Sequence, residues 1–421
     1  MAPSFRSPRE SNLTSDTNTY LLGMNQAHPK CTKAARSCLW CACTLVLLLF
    51  GCTGGENRVP HKLYEATFQS DPPTTVLVEW RPNSWVVRNG DERIPLQRVG
   101  EGEVFSIPVF GGSWTGGWHN DRWLGVWTDS LRPGGYRVPV TLSPIKESLS
   151  TEGLSQITQT WRTTEGLLIT QTKGDSVWAT ISTPTGDYRY LAGTNKDKHL
   201  TINAFDGSHL FRFDADMRGD SLVDGTFISG THYATNFSGV LIHRPKTSWT
   251  SAEQPSNGKG LDVVGVTSEG DTVRWTNDRL RTSDKAGLVL DVMGTWCPNC
   301  MDEARLLAEL AKDHPDIQFV SLAFERSTDE SILPRLKQFQ HELNLGWDVL
   351  LGGKASKRVA ADVLGLVDTV HSFPTTLFWK TDGEPVIHTG FNGPATGEGY
   401  DKEREFFETQ LNRLSGRSKN R

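Results

Sequence analysis

Two cysteines three positions apart, in TWCPNC (295–300), are the residues of this 421-residue chain whose types and spacing offer chemistry most directly. Positions i and i+3 of a helix share one face, so Cys297 and Cys300 can close a small disulfide ring in a first helical turn. Pro298 suits that turn, where its missing N–H is not needed. A cysteine at a helix N-terminus has its thiolate favoured by unpaired N–H groups and by the helix dipole. Cys297, at the exposed end, is then the nucleophile of thiol–disulfide exchange. Cys300, one turn inward, resolves the mixed disulfide. A zinc site needs about four ligands. The other cysteines (Cys31, Cys38, Cys41, Cys43, Cys52) all fall in the N-terminal region, and His314, His341, His371 and His388 are scattered without ligand spacing. A purely structural disulfide of this ring size would constrain little chain. The expected site has no metal and no cofactor.

The elements around the pair follow from hydrophobic period. GLVLDVMG (287–294) reads as a buried strand running into TWCPNC, and MDEARLLAELAKDH as a helix with Leu306, Leu307 and Leu310 on one side. IQFVSLAF, WDVLLGG and the two halves of FPTTLFWKTDGEPVIHTG read as strands, and LDVVGVTSEGDTVRW as a hairpin about EGD. ESILPRLKQFQHEL, SKRVAADVLG and YDKEREFFETQLNRLS read as helices. Strands alternating with helices imply a sheet covered on both faces.

Trp296-Cys297-Pro298-Asn299-Cys300 after a buried strand, followed by Ser372-Phe373-Pro374-Thr375-Thr376 before a hairpin, resembles the thioredoxin superfamily. Within it, the exported TlpA/ResA-like disulfide reductases are most similar. The resemblance covers about 260 to 418. It implies an α/β thioredoxin-like C-terminal domain, with a redox disulfide between Cys297 and Cys300 and a cis Phe373-Pro374 bond against it. Trp296, Phe373 and Thr375 would contact substrate. Asp291, six residues before Cys297, matches the buried carboxyl that exchanges protons with the inner cysteine, and burial would raise its pKa. Glu325, ending FVSLAFE, matches a glutamate kept near the active site in ResA-like proteins. The 77 positions from Cys297 to Pro374 leave room for the extra helix and strand of that branch, over 329–353. A peroxiredoxin would carry a Thr or Ser three positions before its reactive cysteine, where Gly294 stands.

The stretch 63–245 has a different grammar. Short alternating runs such as TTVLVEWR, GLLITQTKGDSVWATI and KHLTINAFDGSHLFRFDA are punctuated by turn dipeptides at 89, 174, 206 and 224. An all-β domain, an antiparallel sandwich or barrel, is expected. It is rich in tryptophan: Trp80, Trp85, Trp114, Trp118, Trp123, Trp127, Trp161 and Trp178. Because Trp123, Gly125 and Trp127 alternate, they share one face of a strand and read as core rather than as a stacking surface for a sugar. PGGYR (133–137) and PTGDYR (184–189) look alike. A Ser-, Pro- and Gly-rich linker over 246–260 separates this part from the domain at 261–421.

Upstream, Lys30, Lys33 and Arg36 precede the apolar run CLWCACTLVLLLFG (38–51), which ends at Cys52. The run is shorter than the ~20 residues of a membrane-spanning helix and suits a signal peptide. Leu49-Phe50-Gly51-Cys52 resembles a bacterial lipobox, so Cys52 would be lipidated and become the mature N-terminus. Residues 1–51 are read as an upstream extension (1–23, before Met24) and a lipoprotein signal peptide, and 52–62 as a tether. Removal of 1–51, which carries a net +3, moves the chain from −5 to −8, against nucleic-acid binding. It also leaves Cys297 and Cys300 as the free cysteines. The expected protein is lipid-anchored in the cell envelope and takes protein disulfides or dithiols as substrates, with an unidentified electron donor. The alternative is an envelope ligand-binding lipoprotein whose Trp-rich domain binds a sugar or peptide, with the redox domain as sensor.

Overall fold

The computed structural model describes residues 63–417 apart from 82–83, 101, 109, 133–134, 146–154, 244–252, 330 and 381–382. The expected signal peptide, tether and Cys52 lie outside the described residues.

The first eight strands are β1 (Leu63–Phe68), β2 (Thr74–Arg81), β3 (Ser84–Asn89), β4 (Glu92–Arg98), β5 (Val104–Ile107), β6 (Gly112–His119), β7 (Arg122–Asp129) and β8 (Tyr136–Pro144). They pair antiparallel in chain order, and β8 returns to β1 from Tyr64↔Pro144 to Phe68↔Val140, closing a barrel. A barrel of eight strands has an interior that side chains can fill. Here Phe68, Trp85, Trp114, Trp123 and Trp127 fill it. The Trp123 ring lies back over Gly125, where a Cβ would come within 2.1 Å of it. That alternation therefore makes core, and the faces of these indoles are not available to a sugar.

The second sheet holds β9 (Gln156–Thr163), β10 (Leu167–Lys173), β11 (Ser176–Thr183), β12 (Gly186–Asp187), β13 (Leu191–Lys196), β14 (His199–Phe205), β15 (Leu210–Arg218), β16 (Ser221–Ser229) and β17 (Tyr233–Leu241). Its order is β10-β9-β17-β16-β15-β14-β13-β11-β12, and β10 also pairs with β11, so the sheet curls back on itself. The stretch read as one β domain thus holds two curled antiparallel sheets. The turn dipeptides at 89, 174 and 206 do join strands. Asp224-Gly225 does not. It lies inside β16 at a bulge, where the register against β17 shifts between Leu222 and Gly225, and Asp224 takes φ 52°. Asp tolerates the left-handed region, which serves a bulge as well as a turn.

The third sheet runs β18 (Glu253–Gln254), β25 (Val386–Thr389), β24 (Thr375–Lys380), β21 (Gly287–Met293), β22 (Ile317–Glu325), β23 (Val349–Lys354), β19 (Asp262–Val266), β20 (Thr272–Thr276). The pairs β21–β22 and β22–β23 are parallel and the others antiparallel. Its helices are α1 (Asn277–Thr282), α2 (Pro298–Leu310), α3 (Ile332–Glu342), α4 (Lys357–Leu364) and α5 (Glu398–Leu414). Leu288, Leu290 and Val292 of β21 join a core with Leu280 of α1 and Leu364 of α4. Val289 and Met293 join one with Leu307 of α2 and Phe407 of α5. Coverage on both faces explains why every residue of β21 is buried. The linker expected to run to 260 ends earlier, because Glu253 and Gln254 pair with His388 and Ile387 and the Gln254 amide donates to Thr369 O.

Candidate active site

Strand β21 delivers the chain into α2 at Cys297, which caps the helix. Its Sγ accepts the Cys300 N–H at 3.2 Å, and the two cysteines form a disulfide. The Phe373-Pro374 bond is cis, and the Phe373 carbonyl oxygen lies 3.6 Å from Cys297 Sγ. Trp296 meets Phe373 edge to face at 5.8 Å and donates its indole N–H to Phe324 O at 2.9 Å. Cys297, Trp296 and Phe373 thus line one cleft, of about 420 Å³. Thr375 does not line it. That side chain is buried, donates to Ser372 O at 2.8 Å and lies 3.0 Å from the Thr389 hydroxyl, so it holds the proline loop from behind. Ser372 lines the cleft in its place.

Cys297 is 6% exposed, less than an open helix end would leave it. The β-rich part covers it. Thr185 O accepts the Ser372 hydroxyl at 3.2 Å and Asp187 O accepts the Asn299 side-chain N–H at 3.0 Å, while the Ser208 hydroxyl donates to Trp296 O at 3.0 Å. Gly186 sits so close that a Cβ would lie 2.4 Å from Asn299 Nδ2, and its φ of +131° suits glycine. Arg189 reaches the first turn of α2, donating to Pro298 O at 2.7 Å. The same guanidinium bonds Glu92 of the barrel and lies 3.2 Å from Asp302 of α2. Burial, then the Asp302 charge, pushes neighbouring Asp187 up to about 7, while burial raises Glu92 against the pull of Arg189.

Beneath α2, one row of polar side chains crosses the third sheet. His388 pairs with Thr376, Thr376 with Asp291 and Asp291 with Ser321, which puts all four on the same face. Ser321 donates to Asp291 Oδ2 and accepts from the Trp347 indole, each at 2.9 Å. Thr376 donates to Glu303, three residues after Cys300 on α2. Glu403 of α5 lies 3.0 Å from His388 and accepts two bonds from Asn392, which in turn accepts from Ser182 of the second sheet. Burial pushes Asp291 up to about 7, with Ser321 partly offsetting it. Burial, then the Asp291 carboxyl, pushes Glu303 well above the usual carboxylate range. Asp291 can therefore hold or release a proton near neutral pH, with the Glu303 carboxyl beside it held toward its neutral form.

Glu325 is also buried, with burial raising its pKa, but both its oxygens are engaged. Oε1 accepts the Thr295 N–H at 2.7 Å and Oε2 the Thr295 hydroxyl at 3.0 Å, and Arg335 donates to that hydroxyl at 2.8 Å. It grips the residue two before Cys297. The carboxyl beside Asp291 is Glu303, which the sequence reading missed although its i+3 spacing from Cys300 was visible. His388, Glu403 and Arg189 carried no such signal, because only the folded topology brings them to the site. Among the described residues, no group of three or more His, Cys, Asp or Glu is placed to hold a metal ion, and no helix is long and apolar enough to cross a membrane.

No family model matches the chain, and no curated protein matches it. Among solved structures, part of the chain is similar to a secreted Mycobacterium tuberculosis disulfide oxidoreductase homologous to E. coli DsbE, at 18% identity over 35% of this chain and 92% of that one, with a TM-score of 0.25. It is similar to Mycobacterium tuberculosis DsbF at 18% identity over 37% of this chain and 96% of that one, with a TM-score of 0.27. The thioredoxin domain of a Bacteroides vulgatus thiol-disulfide oxidoreductase is 17% identical over 36% of this chain and 98% of its own, with a TM-score of 0.26.

Proposed function

We propose that the protein is a thioredoxin-like thiol–disulfide oxidoreductase of the TlpA/ResA type that reduces disulfides in partner proteins, with residues 261–421 as its redox domain. The observation that carries this reading is the Cys297–Cys300 pair at the α2 N-terminus, facing a cis-proline loop and opening on a cleft. In the reduced protein, Cys297 attacks one sulfur of a substrate disulfide, forming a mixed disulfide and releasing the other substrate sulfur as a thiolate. Cys300 then gives up its proton and attacks Cys297 Sγ, which releases the second substrate thiolate. Two electrons pass to the substrate, and a dithiol donor restores the pair. Asp291 and Glu303 handle the Cys300 proton, Trp296 and Phe373 form the substrate walls, and Pro374 sets the loop. Export and lipid attachment at Cys52 belong to the same proposal, with the chain held on a membrane of the cell envelope.

The test uses the full chain expressed in its own envelope. Cys300→Ser keeps the attacking thiolate and removes the exit, so partners should accumulate as adducts sensitive to dithiothreitol, absent from the Cys297→Ser, Cys300→Ser double variant. Identical bands from both would refute the assignment of Cys297 as nucleophile. Cys52→Ala should move the protein from the membrane to the soluble fraction, since the attachment would reside in the acyl chains.

A further inference from the structure

The disulfide cleft does not end at His209. That residue also lines a second, more open pocket of about 530 Å³, whose other walls include Arg132, Tyr136, His232 and Arg326. The barrel supplies Arg132 and Tyr136, the second sheet His209 and His232, and the loop after β22 supplies Arg326. Both guanidiniums lie over rings, Arg132 over Tyr136 at 4.7 Å and Arg326 over Trp296 at 5.0 Å. Trp296 is the residue before Cys297 and lines the disulfide cleft, so the second pocket adjoins that cleft through His209 and Arg326.

Its charge is unbalanced. Arg132 Nε and Arg326 Nη1 both lie 3.1 Å from the same oxygen of Asp129, a buried carboxylate whose other oxygen accepts the Leu131 N–H. One carboxylate thus serves two guanidiniums; Arg132 also reaches His232 Nε2 and Ser208 O, each at 3.4 Å, and with five N–H groups apiece both guanidiniums keep donors for a further acceptor. Burial, then the Arg132 charge, then His209, lowers the pKa of His232, which fits a pocket with surplus positive charge. Charged guanidiniums stacked on aromatic rings are preorganised to receive a carboxylate in fork geometry.

Resting on the oxidoreductase reading above, we propose that this pocket is a substrate-recognition site for a carboxylate carried near the reacting disulfide, on an acidic polypeptide segment. The covering contacts from 185–189 leave Cys297 reachable through a cleft rather than across an open face, which favours an extended segment over a folded surface. Because Arg326 lies over Trp296, the residue before Cys297, the carboxylate is placed about two to four residues from the substrate cysteine, at ~3.3 Å per extended residue. Binding there changes no bond. It places the substrate disulfide over Cys297, and the exchange follows as already written.

The test is a rate ratio. Two peptides are prepared with their cysteine capped as a neutral thiopyridyl disulfide, one with Glu three residues away and one with Gln. Attack by the reduced full-length protein, with dithiothreitol as the prior reductant, is followed by thiopyridone release at low salt. The Glu peptide should react about five to twenty times faster in kcat/KM, and 0.5 M salt should erase most of that preference. Arg132→Gln and Arg326→Gln should each bring the ratio toward one. Asp129→Asn, which removes the carboxylate serving both guanidiniums, should raise it. A wild-type ratio near one, or a ratio indifferent to all three substitutions and to salt, overturns the recognition site and leaves the oxidoreductase reading standing. Preference for dithiodipropionate over hydroxyethyl disulfide without any preference between the peptides assigns the pocket to a small anionic disulfide and overturns the polypeptide source. Attack on neither peptide refutes the oxidoreductase reading, and the recognition site with it.

Discussion

The interior of the barrel and the helix-facing side of the third sheet are buried alike and built from opposite chemistry. Inside the barrel, Trp85 stacks on Phe105 at 3.8 Å and meets Trp123 edge to face at 5.0 Å, while Phe68 packs against Trp114 at 5.4 Å. Between the sheet and its helices, the same degree of burial is given to Asp291 and His388 of the strands, Glu303 of α2 and Glu403 of α5. Each buried aromatic ring, at 150–250 Å² removed from water, contributes on the order of 4–6 kcal/mol. A buried carboxyl contributes nothing of the kind; it opposes folding whenever it ionises. Stability therefore accounts for the first region and fails to account for the second. Under the proposed exchange reaction, acids retained beneath the disulfide fit proton handling instead.

The sharpest way to break this contrast is to remove a ring. Trp123→Ala should cost about 3–5 kcal/mol in denaturant unfolding, with the same loss at pH 5 and pH 8, because no titrating group is touched. A loss that varied with pH would mean that the barrel interior is linked to ionisation after all.

Arg189 stands between the two regions. Replacing it with Met leaves Glu92 buried without its cation, leaves Asp302 with Arg305 alone and removes the bond to Pro298 O, at a cost of about 3 kcal/mol. The reduction potential of Cys297–Cys300 should also shift, which a merely structural ion cluster would not require. Unfolding measurements with a dithiothreitol redox titration check both. An unchanged potential in the folded variant would confine Arg189 to joining the domains.

The third test works through the sign of linkage. The folded pKa of Asp291 is raised from 3.8 to about 7, so the folded chain holds this proton more tightly than the unfolded chain. Its contribution favours folding below about pH 4 and is lost as pH rises through 7. Asp291→Asn should therefore raise Tm relative to the parent at pH 8 and change it little at pH 4, with a difference of roughly 1–3 kcal/mol. Turnover near neutral pH should fall tenfold or more. Rates unchanged from pH 6 to 9 would move the proton to Glu303, and Glu303→Gln would then carry the loss.

Much of this site could be read from the chain because its signals are local. The CxxC spacing and the strand into α2 declare themselves within a few residues, while Asp291 and Pro374 were marked by the family resemblance. The hairpins at 89, 174 and 206 were equally legible, and the bulge at Asp224 was not, since a residue tolerant of positive φ serves either purpose. What the sequence concealed is long-range. PTGDYR attracted notice only for its likeness to PGGYR, yet Thr185, Gly186, Asp187 and Arg189 roof the disulfide, while Tyr136 of PGGYR lines the basic pocket. No periodicity records a contact between residues more than a hundred positions apart. The polar row failed to show for a related reason: Thr376 sits between Thr375 and Leu377 and His388 between Ile387 and Thr389, so neither short strand carries a period that marks the row.

The smallest expected effect concerns Glu325, which the resemblance put forward as an active-site acid and the geometry places on Thr295. A carboxyl that exchanges protons with the inner cysteine needs a free oxygen and a path to it. Glu325 gives one oxygen to the Thr295 N–H and the other to its hydroxyl, with Arg335 fixing that hydroxyl from the other side. Glu325→Gln keeps the shape and one acceptor oxygen, so the Thr295 N–H can stay bonded while the hydroxyl loses its charged partner. Stability should drop by about 1.5 kcal/mol, the low end for one bond to a charged group. Turnover should change less than threefold, and its pH profile, unlike that of Asp291→Asn, should not move. A pH profile displaced by Glu325→Gln as far as by Asp291→Asn would show that the two acids titrate together, and the division between gripping and proton-carrying carboxyls would be lost.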